Sequence, residues 1–139
     1  MAVFYNKVER INPQDREAPK KWYPSLKTVT QVQQREVAKE IADETTLNPK
    51  EAEMALEQFQ KVLIRNLLSS NSVQLGDWGS FSLTCSGAPS NSKDEVTAHN
   101  IKSLNIRFTP GKSLKNALTE ASFKPAESLV SNTPSSPVK

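Results

Sequence analysis

The stretch Leu75-Gly76-Asp77-Trp78-Gly79-Ser80-Phe81-Ser82-Leu83 restricts the fold of this chain more than any other. Glycine is scarce, four in 139 residues, yet two of the four bracket a tryptophan here. Val73-Gln74-Leu75 on one side reads as a short strand. On the other side Phe81, Leu83 and Cys85 alternate with Ser82 and Thr84, the period-two pattern of a strand with one buried face. Gly76 and Gly79 are therefore expected to take positive φ in a tight turn or bulge, which leaves Trp78 to cover the end of a sheet.

Before this turn the periodicity is helical. Val37, Ala38, Ile41 and Ala42 fall on one face, with Arg35, Glu36, Lys39, Glu40 and Asp43 largely opposite, so a first helix is predicted from about Thr30 to about Thr45. Asn48-Pro49-Lys50-Glu51 then combines an N-cap, a proline at the first helical position and a glutamate able to return a bond to the cap. The second helix carries Ala52, Ala55, Leu56, Phe59, Leu63 and Leu67 at helical spacing and ends in the polar run Ser69–Ser72. Val62, Ile64 and Leu68 widen its stripe beyond what one neighbouring helix covers, which calls for a second partner, another copy of the chain being one candidate.

After the glycine turn, Ser86 to Asn100 offers almost nothing to bury and reads as a disordered loop or the tip of a projecting hairpin. The chain returns through Ile101, Leu104, Ile106 and Phe108, and the change of parity between Ile101 and Leu104 implies a bulge. Thr109-Pro110-Gly111-Lys112 is expected to open a last helix, capped by the threonine, with Leu114, Ala117, Leu118 and Ala121 as its buried face. Pro125 to Lys139, rich in Ser and Pro, is expected to be a disordered tail.

The first 27 residues differ in kind. They mix Phe4, Tyr5, Trp22 and Tyr23 with basic residues and three prolines, Pro13, Pro19 and Pro24, which forbid a continuous helix. Strand, loop and short extended piece is the reading, with Trp22 and Tyr23 packed on the main domain as a lid or stacked on a ligand base. A length of 139 residues with 36% hydrophobic content suits one domain plus extensions. The lone Cys85 excludes an internal disulfide framework and is expected to be a buried structural thiol; the lone His99 excludes a multi-histidine metal site within one chain. No metal site or cofactor is expected. No apolar run approaches a membrane span and no leader peptide is recognisable, so a cytoplasmic protein is expected. Asp43 and Glu44 are adjacent on a helix and do not face each other, and nothing nearby supplies a nucleophile, so no enzyme activity is expected.

Gly76-Asp77-Trp78-Gly79-Ser80-Phe81 and, further on, Phe108-Thr109-Pro110-Gly111-Lys112-Ser113-Leu114-Lys115 follow two amphipathic helices. Together they resemble the glycine-aromatic-glycine turn and the start of the last helix in the HU and integration host factor family of bacterial histone-like DNA-binding proteins. Asp77 stands as an extra residue in the turn. The leader with Trp22-Tyr23-Pro24 looks like that of the HU-like proteins common in Bacteroidetes. The resemblance implies an α+β fold: an intertwined dimer, each chain with two N-terminal helices, a three-stranded antiparallel sheet with a projecting β-arm, and a C-terminal helix. Its organisation is then an N-terminal extension over 1–29, an HU-like DNA-binding domain over 30–124 and a tail over 125–139.

For DNA the resemblance points to Lys112 and Lys115 at the last helix start, where helix amides favour a phosphate, and to Lys93, His99, Lys102 and Arg107 along the arm and sheet. Lys20 and Lys21 join them from the leader, and Pro89 is the candidate wedge between bases. Each cation is equally well explained as a solvated residue. The arm departs from the family: Lys93 is its only basic residue between Ser86 and His99, beside Asp94 and Glu95. Basic character lies in the leader instead, with six basic and three acidic residues over Met1–Val29 against five and seven over Thr30–Asn71. The expectation is a dimeric, sequence-tolerant architectural protein of the nucleoid that binds duplex DNA weakly or non-specifically. The alternative is a structural or protein-interaction module that kept the fold and lost the DNA grip.

Overall fold

In the computed structural model, which describes residues 1–129, the chain divides into two units, Val32–Thr119 and a second formed by Met1–Gln31 with the segment from Glu120 on. The first contains helices α1 (Gln34–Glu44) and α2 (Pro49–Leu68), strands β3 (Val73–Gln74), β4 (Gly79–Gly87) and β5 (Ile101–Pro110), and helix α3 (Lys112–Thr119). The second contains β1 (Val3–Arg10), β2 (Lys21–Lys27) and β6 (Phe123–Pro125). Each unit has one three-stranded sheet, ordered β3-β4-β5 and β2-β1-β6.

Local chemistry sets the helix ends. Asn48 Oδ1 accepts from the Glu51 amide at 2.9 Å while the Glu51 carboxylate accepts from the Asn48 amide at 3.0 Å, a reciprocal cap worth about 1 kcal/mol. The Gln33 amide donates to Glu36 in the same way at 3.0 Å, so α1 begins at Gln34 rather than near Thr30. At the far end of α2 the Ser70 amide donates to Leu67 O and the Asn71 amide to Asn66 O, both at 3.1 Å. Ser70 has φ 65° in this closure, a site where glycine is usual.

The glycine turn is the centre of the first unit. Gly76 and Gly79 have φ of 57° and 150°. A Cβ on Gly79 would lie 2.6 Å from Thr109 O and 2.8 Å from the Phe108 ring, so β4 meets β5 here at a distance only hydrogen permits. Gly111 is just as constrained: a Cβ there would collide with the carbonyl of Asp77. Trp78, held between them, lies 6.1 Å from Phe59 of α2, 6.2 Å from Phe81 and 6.4 Å from Phe108, and the last two rings are 4.9 Å apart. Such pairs contribute about 0.5–1.5 kcal/mol each beyond area burial.

This junction also moves the last helix. Thr109 and Pro110 do not cap α3; they pair with Ser80 and Gly79 as the end of β5, because the Gly111 amide donates to Trp78 O at 2.9 Å and holds the chain extended up to that point. Helix α3 stops at Thr119. Of its expected buried face, Leu114 is half-buried, Ala117 and Leu118 are exposed, and Ala121 lies beyond the helix. Cys85 is also exposed rather than buried, since the strand face that carries it is uncovered at that position.

In the second unit β1 pairs antiparallel with β2 over seven residues and parallel with β6. Pro24 is accommodated because β2 is an edge strand. The leader is thus two full strands, and Pro125 to Leu129, expected as tail, are the end of β6 and a 3-10 turn; the rest of that tail lies outside the described residues. Trp22 is 67% exposed and Tyr23 45%, so neither is packed away as a lid.

Gly111→Ala is expected to destabilise the chain by about 2–3 kcal/mol, because backbone must separate from backbone. Gly76→Ala, with open space around its Cβ and only the left-handed backbone to oppose it, should cost about 1 kcal/mol. Urea denaturation of both variants checks the order.

Candidate nucleic-acid interface

Strands β4 and β5 pair without interruption from Gly79↔Pro110 to Ser86↔Ser103, and opposed residues share a face. One face carries Phe81 with Phe108, Leu83 with Ile106 and Cys85 with Leu104. The other carries Ser80 with Thr109, Ser82 with Arg107, Thr84 with Asn105 and Ser86 with Ser103. This second face is a field of hydroxyls and an amide with one guanidinium and no carboxylate. The Ser86 and Ser103 hydroxyls bond to each other at 2.6 Å. Hydroxyl and amide side chains of this kind bond phosphate oxygens without reading bases. The row Ser82, Thr84, Ser103 and Asn105 was not singled out from sequence, although its parity, opposite to Phe81 and Leu83, is the signal that finds it.

Of the cations expected to bind, four share this unit's final stretch. Arg107 stands on the polar face, Lys102 occupies the register shift where Gly87 pairs with Ile101, and Lys112 and Lys115 lie in α3. All four are exposed, and among the described residues none forms an ion pair. The helix start itself is less open than expected. The Gly111 amide donates to Trp78 O at 2.9 Å and the Ser113 amide to Asp77 O at 3.3 Å, so the glycine turn consumes two donors that a phosphate would use. What Lys112 and Lys115 present at this helix start is their exposed side-chain ammonium groups. Lys20 and Lys21 belong to the other unit, at the entry to β2.

Between the strands the segment from Ala88 to Asn100 is ordered, with 3-10 turns at Lys93–Glu95 and Ala98–Asn100. Asn100 holds it. Its side-chain amide donates to Ala88 O at 3.0 Å and Ser90 Oγ at 2.8 Å, its side-chain oxygen accepts from the Thr97 amide at 2.8 Å, and its backbone carbonyl accepts from the Ala88 amide at 2.8 Å. Lys93 and His99 are exposed on the two turns, Lys93 beside Asp94 and Glu95. Pro89 is exposed and, with Val96 and Ile101, lines a shallow depression against this clasp.

The charge is divided unevenly between the units. Val32–Thr119 carries ten basic and ten acidic residues, so the whole formal charge of +3 resides in the residues on either side of it. Among the described residues no helix is long and apolar enough to cross a membrane.

A family model described as an HU domain fused to wHTH, Ig or glycine-rich motif matches residues 1–125. The fold is similar to that of a chain described as a candidate bacterial DNA binding protein from Bacteroides vulgatus ATCC 8482, with a TM-score of 0.64 and 14% identity over 90% of this chain and 48% of that one. This chain thus spans about half the length of that protein. It is also similar to Anabaena HU in a cocrystal with DNA, with a TM-score of 0.51 and 16% identity over 64% of this chain and 99% of that one. At such identities the likeness is one of fold. No curated protein matches the chain by sequence.

Asn100→Ala should leave the melting temperature nearly unchanged while the Thr97 amide, which loses its side-chain acceptor, exchanges about tenfold faster than in the wild-type chain, and the Ala88 amide, bonded to the backbone carbonyl of residue 100, keeps its partner. Hydrogen exchange followed by NMR reads this directly.

Proposed function

As the chain belongs to the HU-HIG family, the HU domains fused to wHTH, Ig or glycine-rich motifs, we propose that it is a non-catalytic architectural protein of the nucleoid. Two identical chains hold duplex DNA with little sequence preference and bend it. The observation that carries this reading is the polar face of β4 and β5, eight hydroxyl, amide and guanidinium side chains without a carboxylate, continued by Lys112 and Lys115. Hydroxyls, amides and lysines meet the phosphate backbone, which is the same for every sequence. The segment around Pro89 acts as the arm, and its acid-balanced charge leaves the grip to the sheet and α3.

The dimer is supported by what the first unit leaves uncovered. Ala38, Ala52 and Leu67 are its only fully buried apolar residues among those described, whereas Met54, Leu68, Leu104 and Ile106 are each more than half exposed. Burying one such side chain stabilises by about 1.5–3 kcal/mol, and a second copy of the same surface is the occupant that closed symmetry supplies.

Titration of a labelled duplex across a salt series tests the proposal. The slope of log affinity against log salt is expected to be about −0.9 per phosphate neutralised, and Lys112→Glu with Lys115→Glu should weaken binding at least tenfold and flatten the slope. Binding that ignores salt, or none at low salt, refutes it. Sedimentation equilibrium is expected to find a dimer; a monomer at micromolar concentration removes the dimeric part.

A further inference from the structure

The hairpin of β1 and β2 carries a second cationic feature, remote in sequence from β5 and α3. Arg10 and Lys21 are directly opposite each other in the register, and two residues along each strand stands the pair Val8 with Tyr23, so Arg10, Lys21 and Tyr23 share one face of the sheet. The Arg10 guanidinium carbon stands 6.0 Å from the centroid of the Tyr23 ring. Together with Asn12, Pro13 and Pro19 of the connecting loop they line a groove of about 420 Å³.

Three properties make this groove a site for an anion. Like charges placed directly across an antiparallel pair repel, and among the described residues no ion pair relieves either of them. The acidic groups of the loop do not line the groove, and the Asp15 carboxylate is occupied by the Glu17 amide at 3.1 Å. The loop is also held in shape, with the Gln14 amide on Asn12 Oδ1 at 3.0 Å and the Asp15 and Ala18 amides on Asn12 O and Asp15 O, both at 3.3 Å. A guanidinium and an ammonium facing one space suit a phosphate, and an aromatic ring beside them suits a sugar or base.

We propose that this groove is a second nucleic-acid contact, which seats one backbone phosphate of a DNA strand between Arg10 and Lys21 with the adjoining nucleoside against Tyr23. It rests on the DNA-binding reading above and adds a contact from the unit in which the chain's net positive charge resides.

The test uses the full chain, a labelled duplex and a salt series. Arg10→Gln with Lys21→Gln is compared with Lys27→Gln plus Lys124→Gln, which removes the same charge elsewhere on the same sheet. The groove variant is expected to lower the salt slope by about 0.9 per engaged protomer, one phosphate each, and affinity about tenfold, clearly more than the charge-matched control. Tyr23→Ala should weaken binding with the slope unchanged. Amide resonances of residues 11–21 of the wild-type chain are expected to shift when duplex is added. Equal behaviour of the two double variants, or no shift in residues 11–21, overturns the groove. If at the same time Lys112→Glu with Lys115→Glu abolishes binding, the architectural function stands without it. A wild-type chain that binds no duplex at low salt removes both.

Discussion

Everything in the HU-like unit depends on two places where backbone touches backbone. At Gly79 the first residue of β4 lies against Thr109, and at Gly111 the entry to α3 lies against the carbonyl of Asp77. These contacts clamp the β3–β4 turn between the end of β5 and the start of α3, and Trp78 fills the space that remains beside Phe59, Phe81 and Phe108. Strand register follows from the clamp. Because side chains alternate, a slip of one residue would carry Phe81, Leu83 and Ile106 to the face that now holds Ser82, Thr84 and Arg107, and exchange the apolar and polar surfaces. The proposed DNA surface is therefore a consequence of two missing methyl groups.

The electrostatics are those of a body with no net charge and a basic accessory sheet. A neutral unit cannot draw a polyanion by overall charge, so the proposed DNA contact rests on local arrangement, with Lys102, Arg107, Lys112 and Lys115 along β5 and α3 without an ion pair among the described residues and the acids concentrated on α1 and α2. In the proposed reading its groups meet phosphate and sugar, which do not differ between sequences.

Most of this architecture was legible in short stretches of sequence. The Asn48-Pro49 start of α2 is visible because its cap bonds lie within four residues, and the alternation of β4 and the bulge near Lys102 are visible because they are parity effects. The failures share a cause: distance along the chain. Thr109-Pro110 has the composition of a helix cap, but pairing with Ser80 and Gly79 overrides that local preference. The pairing of β6 with β1 joins Phe123 to Val3, and neither segment hints at the other. Asn100 looks like one more polar residue of a loop; its bonds to Ala88 and Ser90 appear only once the strands on both sides are paired. In the candidate site the cations were readable by type and the hydroxyl row by parity, whereas the Arg10, Lys21 and Tyr23 groove required a register.

The parallel pairing of β6 with β1 makes the HU-like unit an insertion within the accessory one. During synthesis β1 and β2 precede the strand that completes their sheet by about a hundred residues. At typical elongation rates the free edge of β1 then waits about 5–20 s for its neighbour. Through that interval the nascent chain presents an open strand beside Trp22 and Leu26, an invitation to chaperones or to a second nascent copy, and it closes only after the inserted unit has been made.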